Sequence, residues 1–212
     1  VYIVGYTDGT FGPSRSMTRA EAAAIFARLL AEKNGDTIST AANTKFADIP
    51  AHAWYSGYVK YLSNNGITYG KSKTVFAPND AITRAEFTTM AVRFFDVYGD
   101  GDAEIMEQFS GFNDVSSGYW AAEYIKYAAL HGWINGYGDG SFHADREINR
   151  AEVVTIVNRL LGREADEDYI ADNLRKLNTF PDVSRKHWAY YAVMEAANAH
   201  TTVLGESESW SK

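Results

Sequence analysis

Residues 82–86 read ITRAE, set between the loop-like FAPND and an apolar run. MTRAE stands at 17–21 and INRAE at 148–152, so the same short sequence returns about every 66 residues, and self-similarity at a fixed period marks a repeat architecture. Each copy reads as a helix start. The hydroxyl of Thr18 or Thr83 accepts from the amide three residues on, while Glu21 or Glu86 reaches back to the capping amide; Asn149 and Glu152 repeat this capping box. Apolar residues follow at helical spacing, namely Ile25, Phe26, Leu29 and Leu30, then Met90, Ala91, Phe94 and Phe95, then Ile156, Val157, Leu160 and Leu161. This predicts one broad buried stripe per helix. Ala20, Ala85 and Ala151 suit a close helix contact, but the cap leaves the arginine unexplained. Arg19, Arg84 and Arg150 put positive charge at the end of the helix dipole that prefers anions, which costs about 0.3–1 kcal/mol each.

Outward from the pentapeptide the repeat lengthens. FADIPAHAW (46–54), FNDVSSGYW (112–120) and FPDVSRKHW (180–188) keep Phe, Asp, Ile/Val and Trp at identical spacing. An aromatic, Ala-rich stretch follows each Trp, with apolar positions such as Tyr58 and Leu62 or Tyr124, Tyr127 and Ala128 at helical intervals. Gly66 and Gly132 suit left-handed caps at the ends of the first two of these helices. A turn comes next, GYTDGTFGP, YGKSKTVFAP or GYGDGSFHA, and leads back to the pentapeptide.

Laid end to end, the chain holds a second half-repeat (1–30), two whole repeats (46–95 and 112–161) and a first half-repeat (180–206). The expected fold is all-α: a pseudo-threefold bundle of three helix–loop–helix repeats forming one domain over 1–212. It is closed by pairing of the N- and C-terminal half-repeats, so that 180–206 completes 1–30 and the helix after Trp188 docks beside the helix starting at Thr18. Stretches 31–45, 96–111 and 162–179 are connectors, the last helical in DEDYIADNLRKL. GDGDAE (99–104) reads as a solvated acidic turn, because Ile105 occupies the glycine position that a calcium-binding EF-hand loop requires.

Composition bounds the function. A chain of 212 residues, 46% hydrophobic and 22% charged, can bury a core. A net charge of −7 without a long basic cluster argues against nucleic acid. The absence of cysteine excludes disulfides, thiolate catalysis and Cys-based zinc sites. The histidines have no metal-ligand spacing, so surface or core roles are expected and no cofactor is. No apolar run approaches the roughly 18 residues of a membrane span, so membrane insertion is not expected. The opening VYIVGYTDG is neither a leader nor a start Met, and the chain reads as part of a longer protein.

The FxD[IV]xxxxW frame, the GYxDGxF turn and the TRAE helix start, each recurring in order, resemble the S-layer homology domain of bacterial surface proteins. The resemblance implies a secreted, cell-surface module, monomeric and not an enzyme. Such a module anchors its host protein by binding a cell wall polysaccharide, a secondary cell wall polymer that often carries a pyruvylated amino sugar. It also implies that Arg19, Arg84 and Arg150 contact the acidic ligand, with Asp8 and Asp139 from the turns and Trp54, Trp120 and Trp188 near the groove. A guanidinium beside free helix-start amides would suit a carboxylate. In the middle repeat Lys71 and Lys73 stand where an Asp-Gly turn is expected, so that groove binds differently or not at all.

The residues themselves leave other readings open. The three arginines can instead form structural salt bridges, for instance with Asp48, Asp114 or Asp182, although those aspartates suit N-caps of the first helices. The three Trp residues read as core anchors or as sugar-stacking platforms, and most of Tyr55, Tyr58, Tyr61, Tyr119, Tyr124 and Tyr127 as core. Arg28, Arg93 and Arg159 read as a solvated face or structural bridges. The competing functions are a wall-glycan hydrolase, for which no nucleophile or phosphate-loop motif speaks, and a protein- or peptidoglycan-interaction scaffold of the envelope.

Overall fold

The three helix starts form as the capping residues dictate. Thr18, Thr83 and Asn149 each accept from the amide of the Glu three residues on, and each Glu carboxylate returns to the capping amide. These boxes open α1 (Arg19–Asn34), α3 (Arg84–Tyr98) and α5 (Arg150–Leu160). The shorter helices α2 (Ser56–Asn64), α4 (Ala122–Leu130) and α7 (Tyr190–Ala197) follow the FxD frames, and α6 (Glu167–Asn173) with a 3₁₀ turn (Leu174–Lys176) fills the DEDYIADNLRKL connector. The computed structural model describes residues 1–99, 109–203 and 209–211, so most of the acidic stretch 99–104 and the end of the 180–206 half-repeat lie outside the described residues.

The described chain is all-α apart from a two-stranded antiparallel ribbon, β1 (Thr201–Val203) with β2 (Ser209–Ser211). It divides into two compact units, one of residues 1–15 and 149–212, the other of residues 16–148.

In the 16–148 unit α2 packs on α1, α4 on α3, and α1 on α3. Each long helix therefore pairs with the short helix of the following frame. Phe26, Phe87 and Phe94 form the aromatic centre, with ring centroids 5.0–5.3 Å apart. The residues just before the caps close a ring of backbone bonds: Met17 N donates to Ile148 O, Ile82 N to Met17 O, and Ile148 N to Ile82 O. All three side chains are fully buried. The left-handed glycines end α2 and α4 as expected, Gly66 (φ 74°) bonding Ser63 O while Ile67 N bonds Leu62 O, and Gly132 (φ 68°) doing likewise.

In the other unit α7 packs on α5, and the N-terminal segment joins them. Tyr2 N donates to Ala196 O, its hydroxyl donates to Asn158 Oδ1 at 2.5 Å, and Phe11 packs on Phe180 at 5.3 Å. His200 stands where glycine ended the earlier helices, and α7 ends differently: Asn198 Nδ2 donates to Met194 O and Asn178 Nδ2 to Ala197 O, and the chain leaves extended into β1. Trp210 of β2 stacks on His200 at 4.0 Å, and its amide donates to Asp166, which also caps α6. Nothing in the sequence pattern marked this ribbon, since its pairing depends on contacts far along the chain.

Two expectations about the short helices need correction. Asp48, Asp114 and Asp182 do not cap them; α2, α4 and α7 begin after Tyr55, Ala121 and Ala189 with no side-chain cap. Most of the tyrosines are also not core. Tyr55 is buried, but Tyr58, Tyr61, Tyr119, Tyr124 and Tyr127 lie at the rim, while Val59, Leu62, Ile125 and Ala128 fill the interior. A phenol needs a polar partner that the rim supplies. Tyr61 donates to Asp36, Tyr119 donates to Asp145, and Tyr124 accepts from Arg93.

Candidate functional site

Three turns, residues 5–12, 70–77 and 136–143, are built alike on different sequences. Tyr6 N donates to Thr10 O, Tyr137 N to Ser141 O and Lys71 N to Val75 O, at 2.7–2.8 Å. Asp8 Oδ1 takes the amide and hydroxyl of Thr10, and Asp139 Oδ1 those of Ser141. The hydroxyl bond, then the amide, holds each carboxyl below its ordinary pKa. In the middle turn Ser72 Oγ takes over, accepting from the amides of Thr74 and Val75.

The aspartate of each FxD frame fastens a turn from outside. Asp48 accepts from the amides of Phe76 and Ala77, Asp114 from those of Phe142 and His143, and Asp182 from those of Phe11 and Gly12. Burial pushes Asp114 up, but those two amides outweigh it and leave its carboxyl below the usual range. The frame phenylalanine completes the fastening, since a Cβ on Gly5, Gly70 or Gly136 would stand 2.4–2.5 Å from Phe180, Phe46 or Phe112.

The arginines hold the same turns from beneath. Arg19, Arg84 and Arg150 are only 4–5% exposed. Arg19 Nε donates to Phe76 O, Arg84 Nε to Phe142 O and Arg150 Nε to Phe11 O, at 2.7–2.8 Å. A terminal nitrogen continues to Asn135 O from Arg84 and to Val4 O from Arg150, and Arg19 pairs with Glu86 at 2.9 Å. Turn carbonyls at the guanidinium thus offset a charge that the helix dipole alone disfavours. The sequence left that arginine unexplained because its acceptors are backbone atoms distant along the chain.

The helix-start amides are taken as well. Arg19 N and Ala20 N donate to Asp80 O and Pro78 O, Arg84 N and Ala85 N to Arg146 O and Ala144 O, and Arg150 N and Ala151 N to Arg15 O and Pro13 O. The expected receptor of free amides beside a guanidinium is therefore not present: turn carbonyls and capping side chains satisfy these ends. The aspartates Asp48, Asp114 and Asp182, offered as salt-bridge partners of the arginines, bind turn amides instead.

The three Trp residues are exposed, Trp54 at 54%, Trp120 at 56% and Trp188 at 65%, which overturns the core-anchor reading. Each stands in the turn before a short helix, and the helix interior is filled without it. Among the described residues their ring contacts are with Tyr55 and Tyr58, with Tyr119, and with His187. Of the second arginine column, Arg28 bonds the Tyr58 hydroxyl and Arg93 lies over Tyr69 and Tyr124, both structural bridges.

Two open clefts flank the turns. One of about 470 Å³ is lined by Asp114, Tyr119, His143, Asp145 and Arg146. There Tyr119 is pushed up to about 12, first by burial and then by its bond to Asp145. The other, about 530 Å³, runs between Val4, Tyr6, Gly9 and Leu177, Asn178, Phe180.

The family model for the S-layer homology domain matches residues 2–23, 45–88 and 111–154. Cell surface glycoprotein 1 of Acetivibrio thermocellus is 34% identical over 98% of this chain and 9% of its own length. The cellulosome-anchoring protein of the same organism is 31% identical over 97% of this chain and 44% of itself. Its exoglucanase XynX is 33% identical over 75% of this chain and 14% of itself. The chain spans less than half the length of each of these relatives.

Proposed function

The chain belongs to the S-layer homology domain family, and from that premise we propose that it is a non-catalytic module that anchors an attached protein to the bacterial cell surface by binding an anionic, pyruvylated secondary cell wall polymer. The observation that carries the reading is the exposed Trp column. Three indoles at equivalent positions, each more than half exposed, contribute little to the interior and suit stacking against sugar faces. The names of the relatives support the anchoring role: one is called cellulosome-anchoring and one a cell surface glycoprotein. The match to an exoglucanase spans a small part of that enzyme, which supports a binding role for the shared segment. No described helix is long and apolar enough to cross a membrane, and a surface location follows from the proposed ligand.

In this proposal residues 1–212 act as one monomeric module, with the 180–206 half-repeat completing 1–30. The ligand surface comprises Trp54, Trp120 and Trp188 with the turns carrying Asp8 and Asp139. Arg19, Arg84 and Arg150 belong to it too. Their part is to fix from beneath the turn backbone that the ligand would meet, since each side chain is only 4–5% exposed and bonded to a turn carbonyl. Several weak sites on one repetitive polymer raise avidity by about 10²–10⁴-fold over a single site.

Cosedimentation with purified wall sacculi, before and after hydrofluoric acid removes the accessory polymer, tests the reading. Binding is expected to disappear on extraction. Undiminished binding to extracted sacculi would overturn the polymer in favour of peptidoglycan or a protein partner, and release of wall glycan fragments would restore an enzyme.

A further inference from the structure

The third short helix departs from the first two at a pair of positions. Equivalent places hold Tyr61 and Gly66 at α2, Tyr127 and Gly132 at α4, and Glu195 and His200 at α7. The two departures meet, His200 Nε2 lying 3.1 Å from Glu195 Oε1. The Glu195 side chain is wholly buried, and neither of its oxygens takes a hydrogen bond among the described residues. A carboxylate withdrawn from water in this way is costly unless a positive charge stands beside it.

The other charged and titratable groups around the pair lie in the same compact unit and are engaged or farther off. Tyr2, from the N-terminal segment, gives its hydroxyl to Asn158 rather than to the carboxylate. Burial pushes that phenol well up; Arg163, beyond the end of α5, draws it down and Glu195 pushes it further up. Asp166, at the start of α6, accepts from the amides of Tyr169 and Trp210.

His200 itself is held from three directions. Nδ1 lies 3.1 Å from Asn198 O, Nε2 faces Glu195, and the ring lies flat on Trp210, with centroids 4.0 Å apart and planes 5° from parallel. A carbonyl and a carboxylate can only accept, and a neutral imidazole has one N–H to give; two facing oxygens suit the imidazolium, which donates from both nitrogens. An indole face suits a cation as well.

We propose that His200 is held as an imidazolium between Glu195 and Trp210, a proton-dependent latch that joins the end of α7 to the β1–β2 ribbon and releases when rising pH removes the proton. The ion pair favours the charged ring, so His200 keeps its proton above the value of about 6.5 for an unperturbed histidine. The latch's contribution to stability is complete below that value and is lost as pH rises through the folded one. Above it Glu195 faces a neutral ring, and the buried charge drives the contact apart. The first two short helices end in glycine and have no such latch. The inference stands apart from the wall-polymer reading.

The test is an NMR titration of the histidine ring signals from about pH 5 to about pH 10, with the Trp indole N–H signals followed in the same samples. His200→Gly and Trp210→Phe assign the two rings. The His200 midpoint is expected at least about one unit above 6.5, with the Trp210 indole shifting over the same range and the His200–Trp210 NOEs fading above it. Glu195→Gln keeps the shape, removes the charge and brings the midpoint down to about 6.5 or lower. A wild-type midpoint at or below 6.5 would overturn the proposal. So would a midpoint that Glu195→Gln leaves in place, or ring NOEs that persist above it. If the Gln variant fails to fold, the wild-type midpoint and NOEs decide alone.

Discussion

Asp48 and Trp54 stand six residues apart in one frame and do opposite work. Asp48 gives both carboxylate oxygens to the amides of Phe76 and Ala77, so its role lies in the fold. Asp48→Ala leaves two turn amides to water or to nothing, and about 1–2 kcal/mol of stability is expected to go, read as a lower urea midpoint. Trp54 makes its ring contacts with Tyr55 and Tyr58 and is more than half exposed. Trp54→Ala should leave the midpoint within about 0.5 kcal/mol, the range of ordinary surface substitutions, while cosedimentation with unextracted sacculi falls. A variant that lost stability and kept wall binding would return the indole to a structural role.

At the scale of elements, each turn is the socket for a helix start, and a residue in left-handed backbone sits in all three sockets. Gly12 has φ 67°, Ala77 59° and His143 55°. Ala77 and His143 bear the strain an L-residue meets there, and the frame aspartate bonds their amides. Ala77→Gly relieves that strain, and a gain of about 0.5–1 kcal/mol in urea unfolding is expected. Gly12→Ala goes the other way, because a Cβ would lie 2.7 Å from Arg15 and 2.8 Å from Tyr6 as well as in disfavoured backbone. The capping boxes, helical stripes and Gly66 and Gly132 ends were legible in the sequence because each is settled within a few residues. Asp48 was misread as a cap because its partners lie 28 and 29 residues on, and a one-dimensional pattern offers the nearer helix first. The same distance hid the carbonyls that hold the arginines. The end of α7 was legible only as a missing glycine; the asparagines that replace it, one of them twenty residues upstream, were not.

For the whole molecule these local devices converge on one dependence, acid. Asp8 and Asp166 in one unit, and Asp80, Asp114 and Asp139 in the other, all have carboxyls held below their ordinary range. The main causes differ. Asp8 and Asp139 answer first to Thr10 and Ser141, Asp80 to Lys71, and Asp166 to the amides of Tyr169 and Trp210; at Asp114 burial opposes the shift and two turn amides prevail. A native pKa below the unfolded value means that the unfolded chain binds more protons in the interval between them, so stability rises with pH there. The contribution is complete above the unfolded value of about 3.9 and is lost as pH falls through the native values. Urea midpoints should therefore keep this contribution from pH 7 to 5 and lose it below about pH 4. Both units hold such groups, so the loss should reach residues 1–15 and 149–212 as well as 16–148, which amide exchange measured by unit can follow. Asp114→Asn removes one titrating group and still offers an acceptor to the turn; its acid limb should be shallower than wild type's, with a smaller change at neutral pH. An unaltered acid limb would mean that Asp114 titrates alike in the folded and unfolded chains, and that its two amide bonds hold the turn without favouring the charge.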